Sequence, residues 1–190
     1  MEQEKLLLAS ASPRRRELLK MMGIPFDVCT VNIDEKHDGC AKETVMRLAR
    51  EKALAVQKLF PGRIILGADT LVVCGGITLG KPKDEADAIQ MLQMLSGNVH
   101  KVYTGVCLLD GKAGIMKTEY DETNVQFLSI DEASIIRYVS SGEPMDKAGA
   151  YGVQGMGGMF VSRIEGSPSN VIGLPMHIVR QMLIESGWKL

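Results

Sequence analysis

Three consecutive arginines, Arg14, Arg15 and Arg16, follow Ser12-Pro13 directly after the apolar stretch Leu6-Leu7-Leu8-Ala9. Ser12 is a favourable N-cap and Pro13 suits the first helical position, so a helix is predicted from about Pro13, with its free N–H groups aimed at the loop before it. Cationic side chains repel that positive end. An anion such as a phosphate would turn the repulsion into a binding site; a solvated arginine face is the ordinary alternative. Asp69 ends the apolar run Arg63-Ile64-Ile65-Leu66-Gly67-Ala68, where a carboxylate is costly unless a cation, a metal ion or water lies beside it. It is the leading candidate for a catalytic base, against a turn-capping aspartate. Lys52 falls within the stripe Val45, Leu48, Ala49, Val56, Leu59 and Phe60 of a helix predicted over 41–60. Its ammonium either snorkels past the core edge or meets an anion beneath the helix. Arg47, Arg50 and Lys58 fall on other faces and read as solvated. Asp34 or Glu35 could supply a second carboxylate, and Lys81, in Gly80-Lys81-Pro82, a further cation.

An arginine-rich helix start, two lysines and two acids suit a polyphosphate carrying a divalent ion. Magnesium takes hard oxygen ligands, often one or two carboxylates plus substrate phosphates. Neither GxxxxGK[ST] nor a strand-following GxGxxG is present, so the usual nucleotide fingerprints do not explain such a site. Ser10, Ser12 and Ser167 have no GxSxG elbow and no histidine placed beside them, which favours hydrolysis by an activated water over a serine nucleophile. In the small-residue tract from Glu143 to Gly155, Gln154 carries an amide that both donates and accepts, as the imide edge of uracil or thymine requires. A loop-stabilising glutamine is the ordinary alternative.

Strand-like and helix-like segments alternate, which predicts an α/β fold with chemistry at strand ends. After the first strand and helix come a strand over Pro25–Val31, the helix over 41–60 and a strand delivering Asp69. A hairpin is predicted about Gly75-Gly76, then a helix over Asp84–Leu95. Val99–Leu109 and Gly114–Leu128 read as an antiparallel ribbon appended to the main sheet, followed by a helix over Asp131–Ser140. A glycine-rich stretch runs from Gly142 to Gly158, with a strand over Met159–Ile164 and a helix over Leu174–Ser186 after it. Met91, Met94 and Met182 read as core. At 190 residues and 45% hydrophobic content the chain can bury a core as one domain or two joined lobes. A net charge of -1 argues against a general nucleic-acid binder, and no apolar run is long enough to cross a bilayer. Cys29, Cys40, Cys74 and Cys107 form no CxxC pair, and His37, His100 and His177 lack metal-ligand spacing. With no leader signature in Met1-Glu2-Gln3-Glu4-Lys5, a cytoplasmic protein with free thiols is expected.

With these residues in view, the chain resembles the Maf family of nucleotide pyrophosphatases, first named as septum-formation inhibitors. The resemblance rests on Leu7-Leu8-Ala9-Ser10 through Leu19, Arg47-Leu48-Ala49-Arg50-Glu51-Lys52-Ala53, Gly67-Ala68-Asp69-Thr70, Gly80-Lys81-Pro82, Met94-Leu95-Ser96-Gly97, Glu143 through Gly155, and Val171-Ile172-Gly173-Leu174-Pro175. It implies a single domain over 1–190, two lobes around a central cleft, with a mixed, elongated, twisted sheet flanked by helices, similar to the inosine triphosphate pyrophosphatases. The implied activity is hydrolysis of a nucleoside triphosphate to monophosphate and pyrophosphate with Mg2+ or Mn2+, by a homodimer. House-cleaning of modified pyrimidine nucleotides and cell-division arrest are the implied roles. By position, Asp69 becomes the proton acceptor, Glu35, Lys52 and Lys81 join it in the phosphate and metal cluster, and Asp69 and Glu35 hold the ion. Arg14, Thr70 and Gln154 resemble the subclass acting on dTTP and UTP; a sister subclass acting on 7-methyl-GTP has tryptophan, glutamine and glutamate there. Activity on 7-methyl-GTP, or nucleotide binding without turnover in a regulator of septum formation, are the alternatives. The segment Gly166-Ser167-Pro168-Ser169-Asn170 departs from relatives that carry an aromatic after the serine.

Overall fold

A computed structural model describes residues 5–37 and 39–188. Four of the five residues on which the leader expectation rests therefore lie outside the described residues. The fold is α/β, with seven strands in one mixed sheet: β1 (Leu6–Leu8), β2 (Phe26–Val28), β3 (Ile64–Cys74), β4 (Ile77–Leu79), β5 (Val99–Asp110), β6 (Ile115–Phe127) and β7 (Val161–Glu165). Their order is β2-β1-β3-β5-β6-β7, with β4 paired to β3 off this path. β1 is parallel to both β2 and β3; β3–β4 and β6–β7 are antiparallel. The helices are α1 (Pro13–Met21), α2 (Ala41–Leu59), α3 (Glu85–Leu95), α4 (Glu132–Val139), α5 (Pro168–Ile172) and α6 (Met176–Glu185).

The chain divides into two compact units. The first comprises the chain up to Asp69, Thr104–Asp121 and the residues from Gly173 onward; the second comprises Thr70–Tyr103 and Glu122–Ile172. In the first, the inner face of α2 (Ala49, Ala53, Val56) packs with Leu7, Ala9, Ile65, Cys107 and Leu109. In the second, Leu92, Leu95, Val125, Phe127, Tyr138 and Phe160 belong to one buried cluster, with Met91 in it and Met94 packed against it. Among the described residues no helix is long and apolar enough to cross a membrane. All four cysteines are free thiols.

Local signals placed most elements correctly. Ser12 caps α1 with Pro13 in its first turn, and Asp84 and Asp131 cap α3 and α4 by accepting from the N–H groups of Asp87 and Ser134. Four expectations change. β3 does not end at Asp69 but continues to Cys74. β5 and β6 are inner members of the main sheet rather than an appended ribbon. Leu59 and Phe60 are exposed, because the buried stripe of α2 stops at Val56. Met159 and Phe160 belong to a 3-10 turn, so β7 starts at Val161.

The second unit buries a titratable group with consequences for stability. His100 is 1% exposed, stacks edge-on against Phe127 and Tyr151, and has Nε2 2.8 Å from the Tyr151 hydroxyl. Burial pushes its pKa down from 6.5 to about 4. In the unfolded chain the imidazole takes its proton near pH 6.5, in the folded chain only near pH 4, so between these values the unfolded state binds more protons. Stability is untouched by this group above pH 6.5 and falls as the pH drops toward 4, by on the order of 3 kcal/mol in all. Urea unfolding across that window should show the loss, and His100→Phe should show a flatter profile than the parent.

Candidate active site

The first unit brings its polar residues together where the parallel strands β1 and β2 end beside the middle of β3. β1 is in register with β2 through Leu8↔Val28 and with β3 through Leu8↔Leu66, so the chain leaves β1 toward Ser10 and β2 toward Glu35 at the edge where β3 reaches Asp69. α2 crosses β3 at Gly67. A Cβ there would stand 2.1 Å from the Ala49 carbonyl oxygen, so only glycine lets the helix backbone lie this close. Residues two apart on a strand share a face, which puts Asp69 under the same helix one step further on.

Lys52 descends from α2 onto that position. Its Nζ lies 2.6 Å from Asp69 Oδ1 and 2.6 Å from Glu35 Oε1, and only 12% of its side chain is exposed. Of the two outcomes open for this lysine, the anion beneath the helix is the one realised. Asp34, the other candidate for the second carboxylate, instead pairs at the surface with Lys36 at 3.0 Å. The Glu35 segment is tied back to α2 by Arg47, which pairs with Glu51 at 3.1 Å and donates to the Lys36 carbonyl. Arg47 thus anchors the loop, where its position on the helix predicted a solvated residue.

The arginine cluster resolves into unequal members. Arg15 is buried: its Nη1 donates to Ser10 Oγ at 2.9 Å and its Nε to the Gly173 carbonyl at 2.8 Å. Burial lowers its pKa, opposed by the charge of Asp69, reinforced by Arg14 and opposed again by Glu35. Residues 15, 18 and 19 fall on one helical face and all three are buried, so the spacing to Leu18 and Leu19 was the signal that distinguishes Arg15. Arg14 is partly buried, and Arg16 donates to the Ala11 carbonyl at 2.8 Å. Ser12 donates its N–H to Ser10 Oγ at 3.3 Å, so Ser10 is the node joining the loop to Arg15.

Thr70, Lys81 and Gln154 belong to the second unit. Thr70 follows Asp69 along β3 and is partly buried. Lys81 is exposed beyond β4, next to Gly80, whose carbonyl accepts from Gly149 N–H at 3.0 Å. Gln154 is exposed on the turn 152–155, closed by a 3.3 Å bond from Gly155 N–H to the Gly152 carbonyl.

Asp69 and Glu35 fit a hard divalent ion. Their oxygens contact one Nζ, so they stand no further apart than twice that contact distance, and both are the oxygen donors such an ion selects. Among the described residues no group of three His, Cys, Asp or Glu side chains is placed to hold a metal ion. A protein that offers two carboxylates leaves the remaining positions to water and phosphate oxygens, which is the usual mode for magnesium.

The Maf-like protein pattern matches residues 5–186. A dTTP/UTP pyrophosphatase of Symbiobacterium thermophilum is 48% identical over 98% of this chain and 96% of its own length. Others of that name, from Syntrophus aciditrophicus and Caldicellulosiruptor bescii, are 48% and 45% identical over 97% and 98% of this chain and 91% and 97% of theirs. A family pattern over nearly the whole chain and relatives this similar over more than nine-tenths of their length leave one assignment: the chain belongs to the Maf-like protein family.

Proposed function

We propose that this chain hydrolyses dTTP and UTP to the monophosphate and pyrophosphate, with magnesium or manganese. The observation that carries the proposal is the ammonium of Lys52 shared between Asp69 and Glu35, in a chain whose relatives of 45% to 48% identity are named dTTP/UTP pyrophosphatases. A carboxylate beside a cation, where two parallel strands end next to a third, is suited to orienting a water and taking its proton next to a polyphosphate. In this proposal Asp69 is the base that acts on the water attacking the α-phosphorus, and the leaving group is pyrophosphate. Lys52, held at the carboxylates before substrate arrives, is placed to neutralise phosphate oxygens. Ser10, Ser12 and Arg14 receive the phosphate tail at the start of α1, where N–H groups point outward and Arg15 fixes the loop. Asp69 and Glu35 would hold a divalent ion, which would supply further charge neutralisation on the phosphates. In the second unit we assign Lys81 to phosphate charge, and Thr70 and Gln154 to the base.

The test is pyrophosphate release from UTP, dTTP, CTP and 7-methyl-GTP with magnesium. UTP and dTTP should be turned over fastest. A preference for 7-methyl-GTP overturns the assignment of the base, and binding without release from any of the four overturns hydrolysis in favour of a nucleotide-binding regulator.

A further inference from the structure

We infer that Glu143 is a positioning residue that holds the turn carrying Gln154 and so sets the affinity for the nucleotide without touching the reacting atoms. The inference rests on the base-reading role proposed above for Gln154. Gln154 is exposed on a glycine-flanked turn, so core packing does not fix its place. Hydrogen bonds do. Glu143 Oε2 accepts from Met156 N–H at 2.9 Å, and Oε1 accepts from Gly157 N–H at 3.2 Å and from the Tyr138 hydroxyl at 3.0 Å. The same hydroxyl accepts from Gly152 N–H at 3.3 Å. Both ends of the turn therefore hang on one carboxylate, the far end directly and the near end through Tyr138, which is 2% exposed.

The surrounding glycines show how closely the turn is built onto this side chain. A Cβ at Gly155 would stand 2.4 Å from Glu143 Oε1 and 2.6 Å from Oε2, and one at Gly157 would stand 2.6 Å from the Tyr138 hydroxyl. Burial alone would raise the Glu143 pKa; the N–H groups of Met156 and Gly157, the Tyr138 hydroxyl and Lys147 outweigh it and bring the group below its ordinary value. All three direct partners donate, so an acceptor-only carboxylate satisfies them and an amide cannot. Glutamine offers a single acceptor oxygen and turns its NH2 toward a donor. Released from the clamp, the turn must be ordered when nucleotide binds, which weakens binding without altering the chemical step.

Glu143→Gln should raise KM for UTP about tenfold with kcat changed by less than about threefold, and should narrow the preference for UTP over 7-methyl-GTP by a similar factor. Gly155→Ala tests the same clamp from the other side. Its φ of -110° suits any residue, and the three nearest atoms its methyl would meet all belong to the Glu143 carboxylate, which it would displace. It should reproduce the rise in KM, and should add less than about twofold when Glu143 is already alanine, because the two changes remove one interaction. If Glu143→Gln does not fold, Gly155→Ala with and without Glu143→Ala carries the test alone. An unmoved KM in folded variants of an enzyme that turns over UTP overturns the clamp and leaves the proposed function standing. No pyrophosphate from UTP with the parent overturns the proposed function itself, and the inference with it.

Discussion

Asp69→Asn should lower kcat for UTP by roughly a hundredfold or more while KM stays within a few-fold of the parent. The substitution keeps the shape of the side chain and removes its charge, which takes away the proton-accepting role and weakens the hold on the ion, an effect that saturating magnesium offsets. Asparagine has the same shape and retains an oxygen for Lys52, which contacts Asp69 Oδ1 at 2.6 Å. β3 runs five residues on either side of position 69, so the backbone there is held by strand pairing and not by the side chain. What is lost is the charge, and with it the capacity to take a proton from a water. Asp34→Asn is the matched control: it removes a carboxylate of neighbouring sequence that pairs with exposed Lys36 at the surface, and should leave the rate within about twofold. Measured with saturating magnesium and UTP, activity of Asp69→Asn within about tenfold of the parent would remove Asp69 from the role of base.

The candidate site was legible where a residue broke a local rule. A lysine in an apolar helical stripe and a carboxylate in an apolar strand each need a partner, and they proved to be each other's. The same pairing explains the main error about β3. Asp69 reads as a strand end because its charge interrupts the apolar run, but a partner arriving from α2 neutralises it and the strand continues to Cys74. That partner is tertiary, and no local pattern contains it. Glu35 over Asp34 was likewise beyond local reach, since the choice depends on Arg47 tying the loop to α2 through the Lys36 carbonyl. Other omissions had local signals. Arg15 shares a helical face with Leu18 and Leu19, and Ser167-Pro168 repeats the Ser12-Pro13 signature: Ser167 Oγ accepts from Asn170 N–H at 3.3 Å at the start of α5. The clamp on Gln154 was hidden because Tyr138, Glu143 and Gly157 lie on three different elements, and glycine spacing alone does not say which side chain occupies the space it leaves.

Lys52→Met should reduce kcat/KM for UTP by about a hundredfold or more and should also change how the protein responds to a divalent ion. Methionine keeps the unbranched stem that lies in the stripe of α2, so the loss is one of charge more than of packing. Without the ammonium, the Asp69 and Glu35 carboxylates face each other across a site in which Asp69 is 7% exposed. The Glu35 side chain is 44% exposed and water screens part of that repulsion, so the cost to folding should be only about 2 kcal/mol, read as a melting temperature lower by about 5 °C in metal-free buffer. A divalent cation can then take the place of the missing charge. In the parent it must compete with Lys52 for both carboxylates, and in the variant it need not. Manganese at about millimolar concentration should therefore raise the melting temperature of Lys52→Met by more than that of the parent while leaving the rate low, because the stabilisation follows the affinity of the folded state for the ion. A variant that melts like the parent with and without manganese, and keeps within about fivefold of its kcat/KM, would show Lys52 to be a filler of the helix stripe and not the charge that binds the two acids into one site.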